Sequence, residues 1–123
     1  MQNLEQIRAR NAFAYSRDDS AAKGGQDGGE VIKKIPPMIL NHGFLATAAY
    51  GMDQKQRAWG AAFTAIARHL SDPDIRHLPD GCDNLEKMLR HLTRHEATSA
   101  ELKIVTGEAM AWLNYARRFV QRN

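Results

Sequence analysis

From Leu102 to the C-terminus the chain repeats apolar residues at helical spacing, and no other segment constrains the fold as strongly. At about 100° per residue, Leu102, Val105, Ala109, Trp112, Leu113, Ala116 and Val120 share one face, with Phe119 at its edge. Lys103, Asn114, Arg117, Arg118, Gln121 and Arg122 fall on the other face, and Gly107 and Ala111 lie among them. An apolar stripe of this width must be buried against other elements. The opposite face is basic and locally thin. Thr98 or Ser99 is expected to cap this helix, with Glu101 or Leu102 opening its first turn.

The other segments read the same way. Asn3 opens a helix over residues 3–17, with Gln6 three residues on in a capping-box arrangement. Leu4, Ile7, Asn11, Ala14 and Tyr15 form one side of it, and Arg10, Phe13 and Arg17 another. DDSAAKGGQDGGE then breaks the pattern and reads as a flexible Gly-rich loop over residues 18–29. A second helix begins near Glu30, with Val31, Ile32, Ile35, Met38 and Ile39 inward. Pro36 and Pro37 sit inside this pattern, so a kink or restart is expected there. Gly43 suits a helix stop, and a short helix, FLATAAY, follows to about Tyr50.

Residues 54–70 direct Trp59, Ala62, Phe63, Ile66 and Leu70 one way and Arg57, Ala61, Thr64 and Arg68 the other. SDPDIRHLPDGCD is an acidic loop over residues 71–83. A further helix runs from about Asp83 to His95, with Leu85, Met88, Leu89 and Leu92 inward. No segment alternates as a strand would. The expected fold is all-α, a single domain over residues 1–123 built as a compact bundle of five to six helices.

Composition narrows the function. The 123 residues are 43% apolar and 25% charged, with no apolar run long enough to cross a bilayer. The N-terminus lacks the apolar centre of a signal peptide, and the single cysteine, Cys82, suits a reducing compartment. A cytoplasmic location is the expectation. The net charge is +3, unevenly distributed. Residues 18–30 carry four acids against one Lys, and residues 71–96 six acids against four bases. Every other segment is net positive, which leaves basic surface between acidic loops.

Catalytic candidates are thin. His91 and His95 stand four apart on one helix, but no third ligand accompanies them, and Arg90 and Arg94 oppose a cation. Cys82 lies in DGCD, where carboxylates raise a thiol's pKa. Asp72 and Asp74 flank Pro73 as in a turn, and GGQDGGE lacks the Gly-Lys-Ser/Thr of a phosphate loop. A helix-turn-helix around Asn41–Gly43 fails because FLATAAY has no polar side chain suited to reading bases. No catalytic residue, metal site or cofactor is expected. Phosphate contacts are better supported. Lys33, Lys34, Arg57, Arg68, Arg117, Arg118 and Arg122 are the RNA-binding candidates, and the Arg10/Arg17 side of the first helix is a further basic face.

Three stretches in order, LEQIRARNAFAY, VIKKIPPMILNHGFLATAAY and EAMAWLNYARRF, resemble the small subunit of the type III-B CRISPR–Cas effector, the Cmr complex. The resemblance covers roughly half of the residues, and its terminal segment is the most specific part. It implies a non-catalytic, all-α subunit acting in antiviral defense. Copies of it would stack beside the backbone subunits and the large subunit, lining the channel that holds guide RNA and target RNA, with no membrane partner. RNA read in this way is recognised through shape and phosphates. A helical adaptor that binds protein alone, without touching RNA, is the alternative reading.

Overall fold

A computed structural model describes residues 2–17 and 26–120, with side chains from Gly29 onward in the second segment. Six helices follow in order: α1 (Leu4–Arg17), α2 (Gln26–His42), α3 (Phe44–Asp53), α4 (Arg57–Ser71), α5 (Leu85–Leu92) and α6 (Ser99–Phe119). No strand occurs among the described residues, so the all-α expectation holds.

The helix starts follow local chemistry. At α1, Asn3 Oδ1 accepts from Gln6 N at 2.8 Å while Gln6 Oε1 accepts from Asn3 N at 2.9 Å, the expected reciprocal box. At α6 the cap is Thr98. Its hydroxyl accepts from Glu101 N at 3.1 Å, and Glu101 Oε1 accepts from Thr98 N at 3.0 Å. Asn84 caps α5 by accepting from Lys87 N at 2.8 Å. Gly43 separates α2 from α3 at φ 94°, ψ 161°, a conformation that a side chain would strain.

Helix α2 differs from the sequence reading in two ways, and α5 ends at Leu92 rather than near His95. Helix α2 begins at Gln26, so Gln26 to Gly29 are helical rather than loop; residues 18–25 of that loop lie outside the described residues. The helix also runs unbroken through Pro36 and Pro37 instead of restarting. The prolines deprive the carbonyls of Ile32 and Lys33 of their helical donors. The apolar stripe nevertheless stays in phase across them, with Val31, Ile32, Ile35 and Ile39 all buried. Packing against α3, α4 and α6 holds the segment helical.

Helix α6 packs against α1, α2 and α4, and α4 touches all five other helices. Trp112, Leu113, Phe63, Ile66, Leu70, Ile32, Ile35, Met88 and Leu78 form the fully buried centre. Leu78 comes from the α4–α5 connection, which His77 N and Leu78 N anchor by both donating to the Leu70 carbonyl, at 2.9 and 3.0 Å. The inward faces read for α4 and α6 match, but α1 does not follow its sequence face. Leu4 is 44% exposed and Ala14 is exposed, whereas Ala12 and Ser16 are buried with Ile7 and Tyr15. The α1 stripe is too weakly apolar to decide its own orientation, and contacts with α6 and α4 turn it.

Gly51 and Gly60 occupy opposite circumstances. A Cβ on buried Gly51 would lie 2.6 Å from Phe63 Cε2, whereas one on exposed Gly60 would meet nothing within 4 Å. Gly51→Ala should therefore destabilise the chain by about 1–3 kcal/mol through overpacking. Gly60→Ala should stabilise it by about 0.5–1 kcal/mol by restricting the unfolded chain and favouring helix. Urea unfolding midpoints of the two variants, moving in opposite directions, check this.

Candidate nucleic-acid interface

The basic candidates are carried by three helices. Lys33 and Lys34 are exposed on α2, opposite its buried stripe. Arg57 and Arg68 are exposed at the two ends of α4, three turns or roughly 16 Å apart along its axis. Arg117 and Arg118 are exposed in the last turn of α6, and Arg122 lies outside the described residues. Arg68, Arg117 and Arg118 sit where a helix C-terminus favours cations. Arg57 is different. It opens α4 at the positive end of the helix dipole, with no acid in the first turn and no side-chain cap from Gln56.

Arg57 also borders a groove of about 400 Å³ between the end of α3 and the starts of α4 and α5. Lys55, Gln54, Gln56, Gly60, Thr64 and Asn84 line it beside Arg57, together with Met52, Leu85 and Glu86. Lys55, absent from the sequence candidates, thus joins Arg57 at one concave surface. Its position in a short connection carried no helical pattern that would have marked it. Arg68 and Ala61, placed on the same stripe by periodicity, do not line the groove.

Ion pairing separates two classes of cation. In the acid-rich stretch, Arg76, Lys87, Arg90 and Arg94 each pair with a carboxylate, Asp80, Asp83, Glu86 and Glu101 respectively. Lys33, Lys34 and Arg68 have no such pair among the described residues, and Arg117 reaches only the Asn114 amide oxygen at 3.4 Å. The basic face read on α1 is also engaged within the chain, although Arg10 and Arg17 are exposed. Arg10 is engaged by Asp72 at 3.0 Å and by Gln2 Oε1 at 2.7 Å, and the Arg17 guanidinium lies 4.9 Å over the Phe13 ring. Both serve intramolecular contacts.

What sequence reading missed is a buried polar cluster joining α1, α4 and α6. Arg8 Nε and Nη2 donate to Glu108 Oε2 and Oε1 at 2.8 and 2.7 Å, a bidentate fork. His69 Nε2 meets Glu108 Oε2 at 2.9 Å, and Asn11 Nδ2 contacts both His69 Nδ1 at 2.9 Å and Asp72 Oδ2 at 3.1 Å. Burial pushes the Glu108 carboxyl up, but hydrogen bonds from Arg8 and His69 outweigh it and hold the group below its ordinary value. Burial likewise opposes ionisation of Asp72, yet the Asp74 backbone, Asn11 and Arg10 keep its carboxyl low. The available signal was Glu108 itself, a carboxylate between Val105, Ala109 and Trp112 on the apolar face of α6.

Two other chemical candidates have shifted surroundings. His91 Nε2 faces Arg94 Nη1 at 3.0 Å, and burial followed by Arg94 lowers its pKa. Burial and then Asp83 raise the Cys82 thiol. Among the described residues, no group of three or more His, Cys, Asp or Glu is arranged to hold a metal ion, and no helix is long and apolar enough to cross a membrane.

A family model described as CRISPR-associated protein (Cas_Cmr5) matches residues 4–122. No curated protein and no solved structure is matched. The match spans nearly the whole chain, and the chain belongs to the Cmr5 family, the small subunits of the type III-B Cmr effector.

Removing Glu108 should leave Arg8 and the cluster around His69 uncompensated. Glu108→Ala is expected to cost about 3–5 kcal/mol in chemical denaturation. Arg8→Lys keeps the charge but loses the fork and should cost about 1–2 kcal/mol. The depressed Glu108 and Asp72 carboxyls contribute stability that is present above their ordinary values of 4.5 and 3.8 and is lost as pH falls through their lower folded values. Denaturation midpoints measured from pH 6 down to about pH 3 should show this loss shrinking in Glu108→Gln.

Proposed function

We propose that this Cmr-complex subunit is a non-catalytic structural component of the ribonucleoprotein. In this reading copies of it stack along the complex beside the backbone and large subunits. Its basic helix faces line the channel holding guide RNA and target RNA, in antiviral defense and in the cytoplasm. The contacting residues are Lys33, Lys34, Arg57, Arg68, Arg117, Arg118 and Arg122, with Lys55 added by its place in the groove beside Arg57.

One observation carries the reading. The cations of the acid-rich stretch are neutralised within the chain, whereas Lys33, Lys34 and Arg68 are exposed and lack a carboxylate partner among the described residues. An exposed cation without an internal partner can replace the counterions condensed on a nucleic acid, which favours association and makes it salt-dependent. Such contacts position a backbone and carry no sequence information. That suits a complex in which base pairing between guide and target supplies the specificity.

The adaptor reading rests on exposed apolar side chains: Leu40 is 76% exposed and Ile104 54%. Protein contacts through these residues fit a stacked subunit equally, so they add neighbours without replacing RNA. Charge reversal separates the readings. In a reconstituted Cmr particle, Lys33→Glu with Lys34→Glu and Arg68→Glu should lower RNA affinity by about tenfold or more. The slope of log K against log salt should fall by about 1 for every phosphate-binding cation so replaced. Full RNA occupancy in a particle that has incorporated the variant would favour the adaptor.

A further inference from the structure

We propose that Phe13, flanked by Arg17 and Phe119, is a stacking platform for one unpaired base of a single-stranded RNA. The platform rests on the RNA-facing role given above and adds a base contact to a surface so far read only for phosphates. Helical periodicity sets Phe13 and Arg17 on one face of α1, and Arg117 and Arg118 on another helix far along the chain. The fold unites them. Arg8 meets Glu108, Tyr15 meets Trp112 and Phe13 meets Phe119, so α1 and α6 run side by side in the same direction. Their last turns lie at one end of the bundle, and Arg17, Arg117 and Arg118 lie there with them.

A single exposed apolar side chain means little, because much of any protein surface is apolar. Phe13 differs in its company. The Phe119 ring stands at 88° to it with centroids 5.5 Å apart, and the Arg17 guanidinium lies 4.9 Å from its centroid, yet Phe13 remains 48% exposed. Phe119 is half-buried and packed on the core, so it braces Phe13 from the side. The ring is held in place before anything binds, which lowers the ordering cost of association. An open ring with a cation beside it suits a nucleobase, which stacks on aromatic side chains and on guanidinium planes alike.

Charge selects the occupant. Residues 9–17 and 109–120, which form this end of the seam, hold four arginines and no acid. Arg10 is taken by Asp72, whereas Arg17, Arg117 and Arg118 are exposed. Asp18 and Asp19, next in sequence, lie outside the described residues. Exposed guanidinium groups beside an open ring can hold the phosphates on either side of a nucleotide while its base stacks. Bases inside a duplex are already stacked on both faces, so only an unpaired nucleotide or a strand end fits. Every base has a π-face, so the contact adds affinity and position without sequence preference.

Equilibrium binding of the full chain to a uridine oligonucleotide of about ten nucleotides, compared with an abasic strand of the same length, tests the platform. The wild-type chain should bind the base-bearing strand about fivefold or more tightly than the abasic one. Phe13→Leu keeps an apolar side chain against Phe119 and should lose that preference, with its abasic affinity and salt slope unchanged. Phe13→Tyr keeps the ring and should keep the preference. In the wild-type chain the Phe13 ring protons should shift upfield with the base-bearing strand and not with the abasic one, which decides the question even if a variant fails to fold. Equal binding to the two strands, no binding to either, or an undiminished preference in Phe13→Leu would overturn the platform. So would a Phe13→Leu chain that binds RNA as the wild type does but fails to enter the reconstituted Cmr particle, because the ring would then belong to a protein neighbour. The two readings fail separately. Equal, salt-dependent binding to both strands removes the platform and leaves the phosphate contacts standing. A base preference that survives Lys33→Glu with Lys34→Glu and Arg68→Glu at an unchanged salt slope removes those contacts and leaves the platform.

Discussion

A carboxylate inside the core, Glu108, organises the contact between three helices. It accepts both arms of the Arg8 fork and the His69 imidazole, so its charge is answered from α1 and α4 together. A lone carboxylate at that depth would be strongly unfavourable, and one paired on a single side would leave lone pairs unsatisfied. The arrangement therefore demands a specific rotation of α1 about its axis and a specific height against α6. Apolar contacts alone, with Leu4 and Phe13 half exposed, would permit several. Directional bonds supply the register that the weak stripe of α1 lacks.

This internal use of charge clarifies the outer surface. Acidic residues of the α4–α5 region neutralise Arg76, Lys87 and Arg90, while Asp72 takes Arg10 and Glu101 takes Arg94. The modest net charge of +3 thus conceals a division of labour. Cations near carboxylates are partnered within the chain, and Lys33, Lys34 and Arg68 are left facing solvent on α2 and α4. In the function proposed above, that surplus is the part of the charge available to a backbone of phosphates. Arg57 adds a local oddity, since it opposes the dipole of its own helix and lines a groove with Lys55.

The large apolar face of α6 and the continuous stripe of α2 do different work. Trp112 and Leu113 fill the centre, where packing density leaves little tolerance. Helix α2 shows that tertiary burial can override a local breaker. Two adjacent prolines remove backbone donors, yet Ile32, Ile35 and Ile39 stay on one side and the helix continues. Gly51 provides the close approach that lets Phe63 lie against α3.

The all-α class, the starts of α1 and α6 and the inward faces of α4 and α6 were legible because each depends on residues within a turn or two of one another. Asn3 with Gln6, Thr98 with Glu101, and the spacing of Trp59, Phe63, Ile66 and Leu70 are local facts. The exposed positions of Lys33, Lys34, Arg57 and Arg68 followed from the same periodicity. The orientation of α1, the continuity of α2 and the engagement of Arg10 were not legible in this way. They depend on partners distant in the chain, such as Arg8 with Glu108 and Asn11 with His69 and Asp72. Helical periodicity states which residues share a face. Only the packed structure decides what that face meets, because burial and charge pairing are energies between elements and not within them.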